Sequence, residues 1–438
     1  MTARLPSTCV LSGLLLAAGS ASAAQSVGDT LQSAIVAPRD GDTVVASVAA
    51  QSLTFPLTSS SGGFTEVYVP GAGRGRLVST LGSLFGERAL TNGKGNVSVT
   101  FNVQHNVWAN IDGYRLDRDV DLVARFIAPT TSLIDGVSMQ PGESENFRSE
   151  IVYRSDVSVA AVNIGLSDRL DVGLALPVVR SSVSGRVIVS RTRLTGVEEA
   201  VAPVYADGQP TNYAFGTSAV GIGDLHLRSK LSLYRSDSTA LAILGEIRTP
   251  TGSVQDLQGV GRWIPKLGIV VSGISGSLSP HFNASYSWGD GGIRFGVADT
   301  RDGRVRPGCN AQKCSAPDIH DGYLGISSEF DYVVGTEVDA GYGLTLAFDA
   351  IGRVLLSAAR FEKVYSPGDT IGGILRTVDA ELLSRPGTIH SGTMAIGAKW
   401  RVMGNAALVG TATFPISRQG LVSTISATAG IELLARGR

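Results

Sequence analysis

The stretch GIGDLHLRSKLSLYR, residues 221–235, decides the fold. Leu225, Leu227, Leu231 and Leu233 alternate with Asp224, His226, Arg228, Lys230 and Tyr234. A period of two puts the leucines on one face of a strand and the charged groups on the other. In a soluble sandwich the leucine face would be the core. In a membrane barrel that face meets lipid, and the charged face lines the interior.

The same alternation recurs along the chain. Val97, Val99, Phe101 and Val103 alternate with Ser98, Thr100, Asn102 and Gln104. Leu170, Val172, Leu174 and Leu176 alternate with Arg169, Asp171 and small residues. Phe282, Ala284, Tyr286 and Trp288 alternate with His281, Asn283, Ser285 and Ser287. Met394, Ile396 and Trp400 alternate with Lys399 and Arg401. Strands are expected at roughly 97–109, 150–166, 169–189, 220–235, 239–250, 266–278, 281–297, 322–338, 343–364, 388–402, 404–415 and 421–435.

The connections separate barrel from sandwich. Ser167-Asp168, Ser236-Asp237-Ser238, Ser279-Pro280, the Ala340-Gly341 region and Gly404 read as tight turns, and most of the connections between them are long. Short turns at one end and long loops at the other are the asymmetry of outer-membrane barrels. Twelve strands, an even number, return both ends to the periplasm. Several exceed the ~9–11 residues that cross a bilayer, so they project beyond it. In lipid every backbone group must be satisfied, so the sheet must close. The expected fold is an all-β transmembrane antiparallel barrel of about twelve strands in a bacterial outer membrane.

Composition agrees. The chain has 438 residues, 43% hydrophobic and 17% charged, with 54 glycines and a net charge of −1. Mean hydropathy is +0.17, yet past residue 25 no run reaches the about 20 apolar residues of a spanning helix. The near-zero charge gives no reason to expect nucleic acid as a partner. Residues 1–23 read as a signal peptide: Arg4, an apolar Val10–Ala18, and a cleavage site at Ala21-Ser22-Ala23. An exported chain meets an oxidising compartment, so Cys309 and Cys314 in RPGCNAQKC are expected to form a loop disulfide. A metal site from those two cysteines and His320 lacks a convincing fourth ligand. No metal or other cofactor is expected.

Residues 24–95 are rich in Ala, Ser, Gly and Thr and alternate weakly. They read as an N-terminal periplasmic leader or a plug in the barrel mouth, ahead of a barrel at 96–438. Leu77–Leu90 has the pattern of a short amphipathic helix.

The charges expected on the lumen face are Arg169, Asp171, Asp224, His226, Arg228, Lys230, Glu246, Arg248, Glu329, Asp331, Lys399 and Arg401. Both signs occur in near balance, which fits an ion network satisfying a polar interior, or a selectivity lining without strong ion preference. Hydrolysis needs a nucleophile or activated water beside a positioned base. The five histidines, 105, 226, 281, 320 and 390, sit in no such motif, and no G-x-S-x-G elbow occurs. The chain therefore does not read as an enzyme. Gly71 to Gly75 lacks the Lys-Ser/Thr of a phosphate loop. Trp288, Trp400, Tyr234, Tyr286 and Tyr332 fall near strand ends, where interfacial aromatics belong.

FGERALTNGKGNVSVTFNVQ (85–104), YRSDVSVAAVNIGLSDRLDVGLALPVV (153–179), GIGDLHLRSK (221–230), RTPTGSVQDLQGVG (248–261), SSEFDYVVGTEV (327–338) and FDAIGRVL (348–355) resemble a bacterial family of outer-membrane channels. These are the transporter-like barrels of the meta-pathway of phenol degradation, related more distantly to fatty-acid-transporter-like channels. The resemblance implies a channel for small aromatic or other hydrophobic solutes, with outer-membrane lipid and the barrel-assembly machinery as partners. Such barrels usually end in an aromatic residue that the machinery reads. This chain ends IELLARGR, leaving Ile431 and Leu433 for that part. The alternative function is a structural or surface-interaction barrel whose long loops, 298–321 foremost, bind a partner.

Overall fold

The computed structural model describes residues 26–34, 47–48, 50–53, 66–69, 73–76, 79–117, 123–127, 132–134, 137–139, 143–193, 211–273, 277–289, 292–294, 323–366, 370–371, 374–375 and 379–435. The signal peptide, the Cys309–Cys314 loop and the 298–321 contact surface lie outside the described residues.

Twelve antiparallel strands form the wall. They are β1 (Val97–Ile111), β2 (Glu143–Gly165), β3 (Leu170–Arg193), β4 (His226–Arg235), β5 (Thr239–Arg248) and β6 (Ile264–Gly273). The second half is β7 (Leu278–Ser287), β8 (Ser328–Gly341), β9 (Leu344–Ser366), β10 (Asp379–Met403), β11 (Ala406–Pro415) and β12 (Ser426–Ala435). Each pairs with its neighbour in chain order. β12 then pairs with β1, from Ala427 opposite His105 to Ala435 opposite Val97. That last pairing closes the sheet, so the barrel has no edge.

The polarity is inverted relative to a soluble protein. In β1, Ser98, Thr100, Asn102, Gln104 and Asn106 are buried while Val99, Phe101 and Val103 are exposed. Phe101 is 47% exposed and its neighbour Asn102 only 5%. Leu227, Leu231 and Leu233 of β4 are likewise outside, with His226 and Lys230 inside. A continuous apolar belt around a closed sheet is a lipid-facing surface. Exposed aromatics mark its two rims: Tyr234, Tyr342 and Trp400 at one end, Trp263 and Trp288 at the other. The molecule is an outer-membrane β-barrel.

The short connections gather at one end of the barrel. The turn between β8 and β9 consists of Tyr342 and Gly343, both at positive φ. The long connections share the opposite end. There β2, β3, β9 and β10, at 23, 24, 23 and 25 residues, outrun the bilayer. Val123–Ile127 pairs with the overhang of β2. Thr211–Ile222 pairs with the overhang of β3. The strand expected at 220–235 is therefore interrupted at 223–225, and both of its parts lie along β3.

That interruption is held by Asp224, which is 1% exposed. Its carboxylate accepts from Arg248 Nε at 3.0 Å, from the Val260 N–H at 2.8 Å and from the Gly252 N–H at 3.0 Å. Thr251 Oγ1 accepts from the Leu225 N–H at 2.9 Å and donates to the Gly223 carbonyl at 2.8 Å. The Gly-Ile-Gly-Asp and Pro-Thr-Gly stretches, well separated in sequence, are thus one structural unit at the long-loop rim.

Candidate functional site: the occupied lumen

The lumen is lined by polar side chains and holds part of the chain's own N-terminal segment. Residues 79–96 lie against the inner wall toward the short-turn end. The Leu81 N–H donates to Thr345 Oγ1 at 2.9 Å, and the Phe85 and Gly86 N–H groups donate to Asp349 Oδ2 at 2.8 and 3.2 Å. The Glu87 N–H donates to Asn283 Oδ1 at 2.5 Å, and Asn283 Nδ2 donates back to the Glu87 carbonyl at 2.9 Å. The Ala89 N–H donates to Ser272 Oγ at 3.0 Å, and the Asn92 N–H to both oxygens of Asp171 at 2.9 and 3.1 Å.

The amphipathic helix suggested for Leu77–Leu90 does not form across its described residues, 79–90. Backbone donors that a helix would satisfy internally are instead taken by carboxylate, amide and hydroxyl groups of the wall. Apolar side chains of the same stretch fill gaps between those anchors. Leu84 and Phe85 pack with Val333, Ala347, Ile351, Ala395 and Val409. Leu81 packs with Ala407 and Leu434.

Residues 26–34, 47–48 and 50–53 occupy the long-loop end. Ser26 caps the helix Val27–Ala34, its Oγ accepting from the Asp29 N–H at 3.0 Å. The Gly28 N–H donates to the Gln255 carbonyl at 2.8 Å. Val27, Leu31 and Ala34 join a buried cluster with Ile151, Tyr153, Val183, Leu257 and Val260. Gln51 Oε1 accepts from the Leu421 N–H at 2.6 Å, and Arg248 Nη2 donates to the Leu53 carbonyl at 2.6 Å.

Charges tie segment to wall and strand to strand. Arg88 pairs with Glu337. Glu87 lies 3.5 Å from Lys230 and 3.9 Å from Arg228. His281 stands between Glu337 at 3.3 Å and Asp349 at 3.0 Å. Along the wall, Glu246 meets His226 at 2.9 Å and Arg228 at 2.5 Å. Lys266 meets Asp331 at 2.5 Å, Arg353 meets Glu329 at 2.5 Å, and Lys399 meets Glu432 at 2.5 Å.

Of the residues singled out from sequence, Asp171, Asp224, His226, Lys230, Arg248, Glu329, Asp331 and Lys399 are buried. Arg228, Glu246 and Arg401 are half-buried, and Arg169 is exposed in the turn before β3. The network also contains Lys266, Glu337, Asp349, Arg353 and Glu432, which were not singled out, and His281, which was placed on the polar face of its strand but not among the lumen charges. Strand parity was the available signal: Glu337 follows Glu329 and Asp331 at even spacing, and Glu432 lies between Ile431 and Leu433. Glu87 and Arg88 carried no such signal, because their stretch has no strand period.

Between the two occupied ends is a cavity of about 120 Å³. Leu53 lines it from the long-loop part of the segment, Phe85 and Glu87 from the short-turn part. Side chains on β4 to β9 complete its wall.

No protein-family profile matches the chain, and no curated protein matches it in sequence. Among solved structures it is similar to an outer-membrane channel from Pseudomonas putida F1, at 11% identity and TM-score 0.45, over 79% of this chain and 98% of that one. It is also similar to the NanC porin, at 6% identity and TM-score 0.35, over 64% of this chain and 93% of that one. A third is the Ralstonia pickettii toluene transporter TbuX, at 9% identity and TM-score 0.30, over 79% of this chain and 90% of that one.

Proposed function

We propose that the protein is a channel admitting small hydrophobic or aromatic solutes across the outer membrane, with residues 24–95 acting as its plug. The observation that carries this is the lumen itself. It is polar, charge-lined and occupied by a segment held through hydrogen bonds and ion pairs with strands all around the barrel. Many of these polar contacts are individually modest, so the filling can be loosened part by part. The sequence stretches that resemble phenol-pathway transporter-like barrels support the solute class. Asp171, Asp224, His226, Arg228, Lys230, Glu246, Arg248, Glu329, Asp331, Lys399 and Arg401 are the proposed lining, and the exposed Arg169 is left out of it. The near balance of sign in that set favours weak ion selectivity. The assembly machinery would read β12 through Ile431 and Leu433.

Planar-bilayer recording with solute-uptake assays tests the reading. The full chain should conduct poorly, a chain lacking residues 26–78 should conduct far better, and deletion of the gene should lower uptake of a simple aromatic. Unchanged uptake, with a lumen that stays sealed in the truncated chain, would overturn it.

A further inference from the structure

The cavity between the two parts of the luminal segment combines an apolar surface with a wall of charges. Leu53, Phe85, Leu244, Ile264 and Ile326 supply the apolar part, and the hydroxyls of Ser285, Ser287 and Ser327 lie beside them. The charged groups on the lining are Glu87, Arg228, Glu246, Arg248, Lys266, Glu329 and Asp331, with His226 among them.

Each of these charges already has an opposite partner within 4 Å. Arg228 holds Glu246 at 2.5 Å and Lys266 holds Asp331 at 2.5 Å, both pairs within the cavity wall. The others reach partners behind the wall: Arg248 to Asp224 at 3.0 Å, Glu329 to Arg353 at 2.5 Å and Glu87 to Lys230 at 3.5 Å. His226 meets Glu246 at 2.9 Å. An ionic solute entering here must draw one member from such a pair, and the abandoned member is then left buried without compensation. A neutral solute disturbs no pair. Its apolar body meets the leucine, isoleucine and phenylalanine side chains, and a hydroxyl or carbonyl meets the serines.

We propose that this chamber is a binding site for compact, uncharged amphipathic compounds of about one ring, and that it discriminates against both anions and cations of the same shape. This rests on the channel reading and narrows its solute class. The matched charges act as a neutral polar lining rather than as an ion filter.

The test uses the full chain in lipid nanodiscs and three probes with one ring skeleton: benzyl alcohol, benzoate and benzylammonium. Ligand-observed NMR titration should find saturable binding of the alcohol, tighter by about tenfold or more than that of either ion. Ser285→Phe, which fills the chamber, should abolish the saturable part and leave only partition into lipid. Lys266→Met removes the nearer of Asp331's two cations, leaving Arg353 at 3.9 Å, and should raise benzylammonium affinity by about tenfold, with benzoate unaffected. Heat-modifiable migration on gels establishes that each variant has a closed barrel, and Lys266→Met carries the test should Ser285→Phe fail to close. Either ion matching the alcohol in the wild type would overturn the proposal, as would alcohol binding that Ser285→Phe does not touch. Uptake by cells with and without the gene separates the two readings. Uptake without saturable binding sinks the chamber alone, and binding without uptake sinks the channel alone.

Discussion

Arg88 Nε lies 3.1 Å from Oε2 of Glu337, and the two side chains are 2% and 0% exposed. This pair joins the luminal segment to β8 where no solvent screens it. Thr80 Oγ1 donates to the same Glu337 oxygen at 3.0 Å, so two residues of the segment converge on one carboxylate. Removing one member of a buried pair typically costs about 3–5 kcal/mol, because the other is left uncompensated. Arg88→Met leaves Glu337 with His281 at 3.3 Å as a partner, so it should loosen the segment by up to that order, read as faster proteolysis within 79–96 and a lower Tm. Pairing it with Glu337→Gln should recover much of the loss, since neither charge then remains. A double variant as damaged as the single one would argue against this account.

Gly86 makes a second anchor that depends on size, not charge. A Cβ at this position would stand 2.6 Å from the His281 ring, well inside contact distance. Gly86→Val should push the segment off β7 without altering any wall residue. The expected signature is raised single-channel conductance with normal heat-modifiable mobility. Wild-type conductance would mean that the segment accommodates the methyl groups by shifting.

On the outer surface the logic inverts. Val334 of β8 is 51% exposed to the lipid belt, whereas the neighbouring Val333 is 8% exposed and packs inward. A lysine or arginine on the lipid face near mid-bilayer destabilises a barrel by about 2–4 kcal/mol. Val334→Arg should lower refolding stability in urea by that amount, and Tyr342→Arg in the fully exposed turn should not.

Asp224 is expected to govern a loop more than a lining. It accepts from Arg248, Gly252 and Val260, so Asp224→Ala strands three donors at the long-loop rim. Hydrogen exchange over residues 249–263 should accelerate strongly, while β4 and β5, which stay paired along their length, remain protected. Uniform acceleration across the barrel would contradict a local role.

The wall was legible in the sequence because lipid outside and polar groups inside impose a strict period of two. Val97 to Val103 show it without interruption, and Leu227 to Leu233 show it with Ser229 as the one polar residue on the outer face. Turns such as Ser167-Asp168 and Ser236–Ser238 were legible because their residues are small and polar, whereas Ser279 and Pro280, expected to turn, lie within β7, and the β8–β9 turn is Tyr342-Gly343, one step past Ala340-Gly341. Boundaries were less so: β2 begins at Glu143 and β10 at Asp379, since strands beyond the bilayer are no longer selected for alternation. His281, Asp349 and Arg353 lay on expected strands, yet their partners are on other strands, and parity gives a face without giving neighbours. The course of residues 79–96 was not legible, and the helical spacing at Leu77–Leu90 pointed to a helix that does not form across 79–90. Its conformation is set by wall side chains such as Asp171, Asn283 and Asp349, which are distant in sequence. A segment shaped by its surroundings need not follow the period its sequence shows.

The closing pairing of β12 with β1 has a consequence for assembly. β1 begins directly after Asn96, so the wall's first strand is continuous with the chain inside it, and its partner is the last strand to be made. A cylinder already sealed would have to take the segment in through its bore, whereas one sealed last could close around a segment already in place, as around a mandrel. Variants at Arg88 or Gly86 should then slow maturation of newly made protein as well as alter the finished pore, which pulse-labelling of the heat-modifiable form would record.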